Sequence, residues 1–285
     1  MNKIALGTAQ FGLDYGIANA GGCVGFEHVE EILRYARHAG IATLDTAIAY
    51  GESEKVLGFA GIGEFEVITK LPSAPTQEDV GEWVYHQVRE SKQRLGVDGL
   101  KAVLLHRPLE LLGEKGGEIY DALQACKQNE NVEKIGISVY QPSDVRSIIK
   151  KFNIDLIQLP YNLLDGRWEP LFVELKQKEV EIHARSVFLQ GLLLMENKPA
   201  YFQRWSGLWA LFDDWLSENQ ITALEACLNY VLQKPQIDKL VVGVDSLAQL
   251  KQITAAVRSI PGNMPSELKT EDEMLLNPGL WRLDD

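Results

Sequence analysis

Short apolar segments alternate with longer segments of helical period along most of the chain. Apolar and often β-branched residues fill eight short runs, at 3–8, 41–47, 65–71, 100–106, 132–139, 156–161, 181–188 and 239–244. Between these runs, segments such as 28–40, 79–96 and 223–233 place apolar residues three and four positions apart, as a helix with one buried stripe does. Strands that are apolar along most of their length indicate a parallel sheet covered by helices.

Eight strands that alternate with helices can form either an open doubly wound sheet or a closed barrel. No G-x-G-x-x-G run follows the first strand, where a dinucleotide-binding open sheet would carry it. The helical segments also recur regularly, and no linker or composition break marks a second domain. We therefore predict one α/β domain over residues 1–285, a single (β/α)8 TIM barrel.

Two stretches interrupt this regular pattern. Residues 190–222 carry three tryptophans, Trp205, Trp209 and Trp215, and the stretch after residue 260 contains several prolines and Trp281. Long loops inside a compact fold are usually functional or disordered, and the aromatic content here argues against disorder. We predict long loops on the face of the barrel that holds the C-terminal strand ends. We also predict a C-terminal tail, from about 260 to 285, over this rim.

The charge balance limits the possible partners. Lys and Arg number 28 and Asp and Glu number 40, which gives a net charge of −12. Such a surface repels nucleic acid and anionic membranes, so binding to either is excluded as a main activity. The N-terminus lacks the apolar stretch of a signal peptide, and no run approaches the roughly 18 residues of a spanning helix. These features predict a cytoplasmic protein.

The cysteines and the closed sheet bear on the redox state and the assembly of the protein. Three widely spaced cysteines without a C-x-x-C pair, Cys23, Cys126 and Cys227, predict reduced core thiols and no metal site. A closed barrel has no free sheet edge, and no coiled-coil heptad is present, so we predict a monomer.

Polar residues at the predicted strand ends suggest the chemistry, because barrel active sites lie at the C-terminal ends of the strands. Asp45 ends the second strand with Tyr50 just beyond it, Lys70 ends the third and His106 the fourth. An ammonium held by a carboxylate stabilises a phenolate, which lets a tyrosine act as an acid, and a neutral histidine can orient a carbonyl. Such a set supplies a proton but no electrons, so a reduction would require a bound nicotinamide.

Three blocks resemble the signature regions of the aldo-keto reductase superfamily: LDTAIAYGESEKVLG at 44–58, ITKLP at 68–72 and LLHRP at 104–108. The similarity extends from GTAQFG near the start to VVGVDSLAQL near the end. The resemblance implies an NAD(P)H-dependent (β/α)8 enzyme with Tyr50 as general acid, tuned by Lys70 and Asp45. It implies that His106 orients the carbonyl of the substrate. We expect reduction of an aldehyde or ketone, such as a sugar-like compound, or the reverse oxidation of the alcohol.

The resemblance also implies a set of cofactor-binding residues: Gly7, Thr8, Ser138, Gln158, Arg185, Ser186, Gly243, Ser246 and Gln249. Ser138 and Gln158 would hold the carboxamide, although Val139 replaces the family's asparagine. Arg185 stands where many members place an aromatic residue that stacks on the nicotinamide. The last block lacks the basic residues that many members use to bind a 2′-phosphate, and Asp245 adds a negative charge. We predict NADP or NAD as cofactor, with NADPH favoured by the resemblance.

The substrate would be a small carbonyl compound. Aromatic residues expected near the rim are predicted to line its pocket, namely Phe11, Tyr15, Phe188 and Trp281. A polyol or sugar-like compound that carries an anionic group would suit Arg185. Two alternatives stay open: a regulatory or redox-sensing subunit that only binds a nicotinamide nucleotide, and a redox-neutral lyase or epimerase that uses Tyr50 and keeps its cofactor bound.

Overall fold

Eight parallel strands form a closed barrel in which each strand pairs with its neighbours in chain order and β1 pairs with β8. The computed structural model describes residues 3–19, 21–76, 79–257 and 264–283. The strands are β1 (Ile4–Gly7), β2 (Thr43–Asp45), β3 (Glu66–Leu71), β4 (Leu100–Leu105), β5 (Val132–Ser138), β6 (Leu156–Pro160), β7 (Glu181–Arg185) and β8 (Lys239–Gly243). The predicted (β/α)8 barrel is confirmed, and each strand falls within its predicted run.

Both faces of the strands are buried, which explains why their sequences are apolar along most of their length. One small cluster consists of residues at alternate strand positions, Ile68, Ala102, Leu104 and Leu156. Their strand neighbours, such as Leu105 and Ile157, belong instead to the large cluster shared with the helices. Since successive side chains along a strand point to opposite faces, the small cluster fills the inside of the barrel.

Helices cover the outside of the barrel. They are α1 (Phe26–His38), α2 (Ser53–Ala60), α3 (Val80–Leu95), α4 (Gly116–Asn129), α5 (Pro142–Ile148), α6 (Glu169–Gln177), α7 (Ser206–Glu218), α8 (Ala223–Leu232), α9 (Leu247–Ala255) and α10 (Glu273–Leu276). Local sequence sets several helix ends. Asp79 caps the start of α3 by accepting from the Glu82 amide, and Thr222 forms a capping box with Glu225 at the start of α8.

The two irregular stretches have separate structures. Residues 190–222 contain α7 and two short 3-10 helices, and the side chains of Trp209 and Trp215 are buried. The described part of the tail packs on the loop that follows β6, where the Thr270 amide donates to the Leu164 carbonyl at 2.9 Å. That loop leaves the C-terminal end of its strand. Residues 260–263, 284 and 285 of the predicted tail lie outside the described residues.

The three cysteines differ in their burial. Cys126 and Cys227 are buried, but Cys23 is exposed, so the prediction of a core thiol is wrong at that position. Cys23 lies in the loop between β1 and α1, outside the packed layers.

Within the described ranges, no helix is both long and apolar enough to cross a membrane.

Candidate active site

The four predicted catalytic residues meet at the C-terminal rim of the barrel. Asp45 ends β2, Lys70 lies near the end of β3 and His106 follows β4, while Tyr50 lies in the turn that leads to α2. The Nζ atom of Lys70 is 2.6 Å from Asp45 Oδ2 and 3.4 Å from Tyr50 Oη. The ring of His106 packs edge-on against that of Tyr50, with centroids 5.9 Å apart. The topology thus brings together residues that span 62 positions in sequence, from 45 to 106 inclusive.

Lys70 is a buried ammonium. Its side chain is almost fully buried, and Nζ also donates to the Thr46 carbonyl at 2.8 Å. Burial alone would lower the pKa of Lys70, but the carboxylate of Asp45 and the hydroxyl of Tyr50 hold this pKa above its ordinary value. Lys70 therefore keeps its positive charge next to the Tyr50 hydroxyl at neutral pH.

Asp45 also contacts two predicted cofactor-binding residues, one directly and one through the other. The Gln158 side chain donates from Nε2 to Asp45 Oδ1 at 2.6 Å, and Ser138 Oγ donates to Gln158 Oε1 at 3.3 Å. Neither Ser138 nor Gln158 is among the described residues that line the adjacent cavity, and Val139 is fully buried. In this structure the two side chains position Asp45, and their contact with a carboxamide stays a prediction.

His106 is neutral at physiological pH. Burial, reinforced by the positive charges of Lys70 and Arg185, lowers the pKa of His106 to about 4. A neutral imidazole has one N–H donor, so it can hydrogen-bond to a carbonyl oxygen without adding a charge to the site.

Close backbone contact fixes the turn that carries Tyr50. A Cβ on Gly12, in the loop after β1, would lie 2.0 Å from the Tyr50 carbonyl oxygen. Gly51 has a φ of +55°, and a Cβ there would lie 2.3 Å from the Gly12 carbonyl oxygen. Only glycine fits at both positions, because these two backbone segments touch directly.

Hydrogen bonds among buried hydroxyl groups also stabilise the segment that carries Tyr50. Thr8 Oγ1 donates to the Asp45 carbonyl at 3.0 Å, and Ser53 Oγ donates to the Thr8 carbonyl at 2.9 Å. Thr46 and Ser53 share a further hydrogen bond of 3.2 Å. Sequence reasoning assigned Thr8 to the cofactor and missed Thr46 and Ser53, although both lie in the 44–58 block.

Glu54 is a further buried charge, which the sequence analysis missed. It is 2% exposed and accepts hydrogen bonds of 2.6 Å from both Thr69 and Ser91 and of 2.7 Å from Arg94 Nε. These contacts tie the start of α2 to β3 and α3. The available signal was an acidic residue inside the block that contains Tyr50, but its partners are distant in sequence.

A cavity of about 350 Å³ begins at Tyr50 and Asp45 and runs along the ends of β1, β7 and β8. Several predicted cofactor residues line it, namely Gly7, Thr8, Arg185, Ser186, Gly243 and Gln249. Tyr15 and Phe188 also line it, and their contact with a substrate stays a prediction. Ser246 instead caps α9 by accepting from the Gln249 amide at 3.3 Å.

Two predicted pocket residues lie elsewhere. Phe11 is 1% exposed and packs in the large core cluster, because the chain turns inward in a short 3-10 helix directly after β1. Trp281 packs edge-on against Phe202, with centroids 4.9 Å apart, and donates to the Leu275 carbonyl. Neither residue is among the described residues that line this cavity, and their place in a substrate pocket stays a prediction.

Arg185 lies at the catalytic end of the cavity. Its guanidinium stacks on the Tyr140 ring at 4.2 Å and donates to the Val139 carbonyl at 3.0 Å and to Ser186 Oγ at 3.2 Å. None of these three partners is a carboxylate, and Arg185 is among the residues that line the cavity. This charge distinguishes the site from one lined only by aromatic and neutral side chains.

The loop after β7 forms one wall of the cavity in a strained conformation. The residues Ser186, Leu189 and Gln190 have φ values of 57°, 49° and 54°. Residues other than glycine adopt such values rarely. Gln190 reaches across the cavity and donates to Tyr15 Oη at 3.4 Å. The loops after β1 and β7 therefore contact each other at the cavity.

The far end of the cavity fits a nucleotide. Asp245, beyond β8, lines this end and has a buried carboxylate oxygen with no hydrogen-bond partner among the described residues. The N-terminus of α9 lies beside it, and helix N-termini favour phosphate groups.

A sequence model of the aldo/keto reductase family matches residues 3–263. An uncharacterized oxidoreductase of Bacillus subtilis, YqkF, is 24% identical, covering 88% of this chain and 90% of that protein. The D-threo-aldose 1-dehydrogenase of a Pseudomonas species is 27% identical, covering 93% and 94%. The holo form of an aldo-keto reductase from Bacillus halodurans, AKR11C1, superposes with a TM-score of 0.73 at 20% identity, covering 93% of this chain and 89% of that one.

Fold and site together define a (β/α)8 oxidoreductase. The chain belongs to the aldo/keto reductase family, and it is an NAD(P)-dependent enzyme that acts on small carbonyl substrates.

Proposed function

We propose that this protein reduces a hydroxylated aldehyde or ketone to the alcohol, or catalyses the reverse oxidation, with Tyr50 as the general acid. The observation that carries the proposal is the contact of one buried ammonium, Lys70, with both the Asp45 carboxylate and the Tyr50 hydroxyl. A buried cation beside a phenol stabilises the phenolate, so the hydroxyl can release its proton.

Each residue has a defined role in the reduction. A reduced nicotinamide, when bound, supplies the hydride to the carbonyl carbon. Tyr50 Oη gives its proton to the carbonyl oxygen, and the phenolate that remains is stabilised by Lys70 until a proton from solvent restores it. The neutral imidazole of His106 donates a hydrogen bond to the same oxygen and holds the carbonyl in line. In the oxidation direction, the Tyr50 phenolate accepts the alcohol proton.

The nucleotide would lie along the cavity, against the backbone at Gly7 and Gly243 and beside Ser186 and Gln249. Gly243 has no side chain, so the backbone at this strand end is open to the cavity beside the Gln10 amide. The start of α9, capped by Ser246, would receive the phosphates.

The substrate would contact the polar wall at the catalytic end. Tyr15, Asn19 and Gln190 line this cavity and offer donors and acceptors for hydroxyl groups. The name of the Pseudomonas relative, a D-threo-aldose 1-dehydrogenase, supports a sugar-like compound. The positive charge of Arg185 contributes to lowering the pKa of His106, so Arg185 is close to the proposed catalytic residues. It would therefore pair with an acidic group on that compound.

Titration of the purified protein with NADH and NADPH, followed by tryptophan fluorescence, tests the first half of this proposal. We expect saturable quenching with at least one of them. A panel of neutral and acidic sugar aldehydes is then mixed with the protein and the nucleotide that binds, and the loss of reduced nicotinamide is followed by absorbance. Turnover of a hydroxylated aldehyde is the expected result.

Three other outcomes would contradict the proposal. Failure to bind either nucleotide would remove the oxidoreductase mechanism. Tight binding without turnover of any carbonyl compound would indicate a regulatory or redox-sensing subunit. A nucleotide that copurifies, resists dialysis and returns unchanged after a redox-neutral reaction would indicate a lyase or epimerase.

A further inference from the structure

Arg185 carries a positive charge at the catalytic end of the cavity, where β7 ends. Three contacts hold its guanidinium in place. Nη2 donates to the Val139 carbonyl at 3.0 Å, Nη1 donates to Ser186 Oγ at 3.2 Å, and the group stacks on the Tyr140 ring at 4.2 Å. All three partners are neutral groups, so they fix the position of the charge without neutralising it.

Few charged side chains line the described cavity wall. Besides Arg185, they are the carboxylates of Asp45 and Asp245. Asp45 is 2.6 Å from the Lys70 ammonium, so this ion pair adds no net charge, and Asp245 lies beyond β8 at the far end. Among the described residues, the catalytic end of the cavity therefore has a surplus of one positive charge.

Two side chains at this end respond to the charge of Arg185. Burial is the main cause of the low pKa of His106, and the charges of Lys70 and Arg185 lower this pKa further. Burial raises the pKa of the Tyr15 hydroxyl, and Arg185 opposes that rise. Since the His106 ring packs on that of Tyr50, the field of Arg185 reaches the place where the carbonyl group would react.

The hydride donor has to lie at the same end of the cavity. Hydride transfer needs the donor in near contact with the carbonyl carbon, while the carbonyl oxygen has to reach the Tyr50 hydroxyl that protonates it. The nicotinamide ring is neutral when reduced and carries a positive charge when oxidised. A fixed cation at this end therefore repels the oxidised ring and has little effect on the reduced ring.

We propose that Arg185 selects the oxidation state of the cofactor, so that the reduced nicotinamide nucleotide binds more tightly than the oxidised one. This proposal rests on the proposed function, because it uses Tyr50 to place the reacting carbonyl. An acidic group on the substrate pairs with Arg185 while the substrate is bound. Once the product has left, the repulsion acts on the oxidised nucleotide and favours its release.

Isothermal titration calorimetry without substrate tests the proposal. The ligands are the two forms of the nucleotide that binds in the fluorescence titration, either NAD⁺ and NADH or NADP⁺ and NADPH. We expect wild-type protein to bind the reduced form more tightly by a factor on the order of 10, because like charges a few ångströms apart repel each other even near a protein surface.

Arg185→Gln removes the charge and keeps a polar side chain. We expect the ratio of the two dissociation constants, oxidised over reduced, to fall by a factor on the order of 10 in this variant. Arg185→Lys keeps the charge and should keep the wild-type ratio. ADP-ribose, or its 2′-phosphate where NADPH binds, lacks the nicotinamide ring and should bind equally to Arg185→Gln and to wild-type protein.

Arg107→Gln is the matched control for the loss of a positive charge near the site. Arg107 directly follows His106, but it is exposed and is not among the described residues that line the cavity. This variant should keep the wild-type ratio of the two dissociation constants.

Two results would overturn the inference. The first is equal or tighter binding of the oxidised form by wild-type protein, which does not depend on the folding of any variant. The second is an unchanged ratio in Arg185→Gln, because the preference would then have another cause. Either result leaves the proposed oxidoreductase function intact. Failure of every form of both nucleotides to bind would instead remove that function, so the two failures are distinguishable.

Discussion

The two ends of the cavity differ in how completely their polar groups are paired. At the catalytic end, both oxygens of Asp45 accept hydrogen bonds, and Lys70 contacts three partners. At the far end, beyond β8, the Oδ1 atom of Asp245 is buried and has no hydrogen-bond partner in the described structure. The groups at the catalytic end are held in place by the barrel strands, whereas the end beyond β8 leaves a polar atom without a protein partner.

This difference has a structural cause. The catalytic groups come from strand ends and from a turn that is locked against the β1 loop, so neighbouring protein groups surround them. The far end is built from the loop after β8, which borders open space. Variants at the first end should therefore change both folding and chemistry, and variants at the second end should mainly change binding.

The largest effect is expected for Lys70→Met. Removing the ammonium should lower turnover by a factor on the order of 10²–10⁴, because the phenolate loses its counter-ion. It should also cost about 3–5 kcal/mol in the free energy of unfolding, since the Asp45 carboxylate is left buried without its partner. Steady-state rates and urea denaturation measure the two effects. Lys55→Met, which breaks the exposed pair with Glu52, is the control and should change neither.

If Lys70→Met kept its stability and its turnover, the catalytic end would not be preorganised by this ion pair. The contrast between the two ends would then be lost.

A smaller effect on stability is expected for Glu54→Gln. This change weakens the hydrogen bond from Arg94 and should lower the free energy of unfolding by about 1.5–3 kcal/mol. Nucleotide affinity should stay the same, because Glu54 supports α2 and does not line the cavity in the described structure. The exposed Glu64→Gln variant serves as the comparison. An unchanged urea midpoint in Glu54→Gln would show that the buried carboxylate does not anchor the Tyr50 turn.

Arg185→Ala should act on one class of substrate. For an acidic sugar aldehyde, KM should rise by about 10- to 100-fold, since a hydrogen-bonded charge pair contributes about 1.5–3 kcal/mol. For a neutral sugar aldehyde of the same length, KM should change little. Arg146→Ala, on the exposed face of α5, controls for a general loss of positive charge. Equal changes for both substrates would argue against an anion contact at Arg185.

The smallest effect concerns pH. The folded pKa of His106 is about 4, below the ordinary value near 6.5, so the unfolded chain binds the additional proton between these values. Stability should therefore fall as pH drops from 6.5 towards 4. In His106→Gln this contribution is absent, and the loss of Tm from pH 7 to pH 5 should be smaller by about 2–4 °C. A Tm difference that does not depend on pH would contradict a depressed His106 pKa.

The sequence predicts the barrel well because strand and helix periodicities are local signals. All eight strands fall inside their predicted runs. The meeting of Asp45, Tyr50, Lys70 and His106 at one rim follows from the rule that barrel sites lie at C-terminal strand ends. The motif similarity adds the roles of these residues, which periodicity alone does not give.

What the sequence does not predict are the partners of buried polar groups. The bond between Gln158 and Asp45 joins residues 113 positions apart, and that between Glu54 and Arg94 joins residues 40 apart. Side-chain direction inside a short turn is equally hard to predict, as Phe11 shows by packing into the core. The same holds for Trp281 in the tail. Its ring packs on Phe202, and its position in the sequence does not predict this contact.

The central claim is that Tyr50 is the proton donor of a preorganised catalytic end. The most direct measurement compares Tyr50→Phe with wild-type protein in the reduction of the sugar aldehyde that the panel identifies. We predict a loss of turnover by a factor on the order of 10²–10⁴ with unchanged nucleotide quenching, because the ring is kept and only the hydroxyl is removed. Turnover of Tyr50→Phe at the wild-type rate would contradict the account.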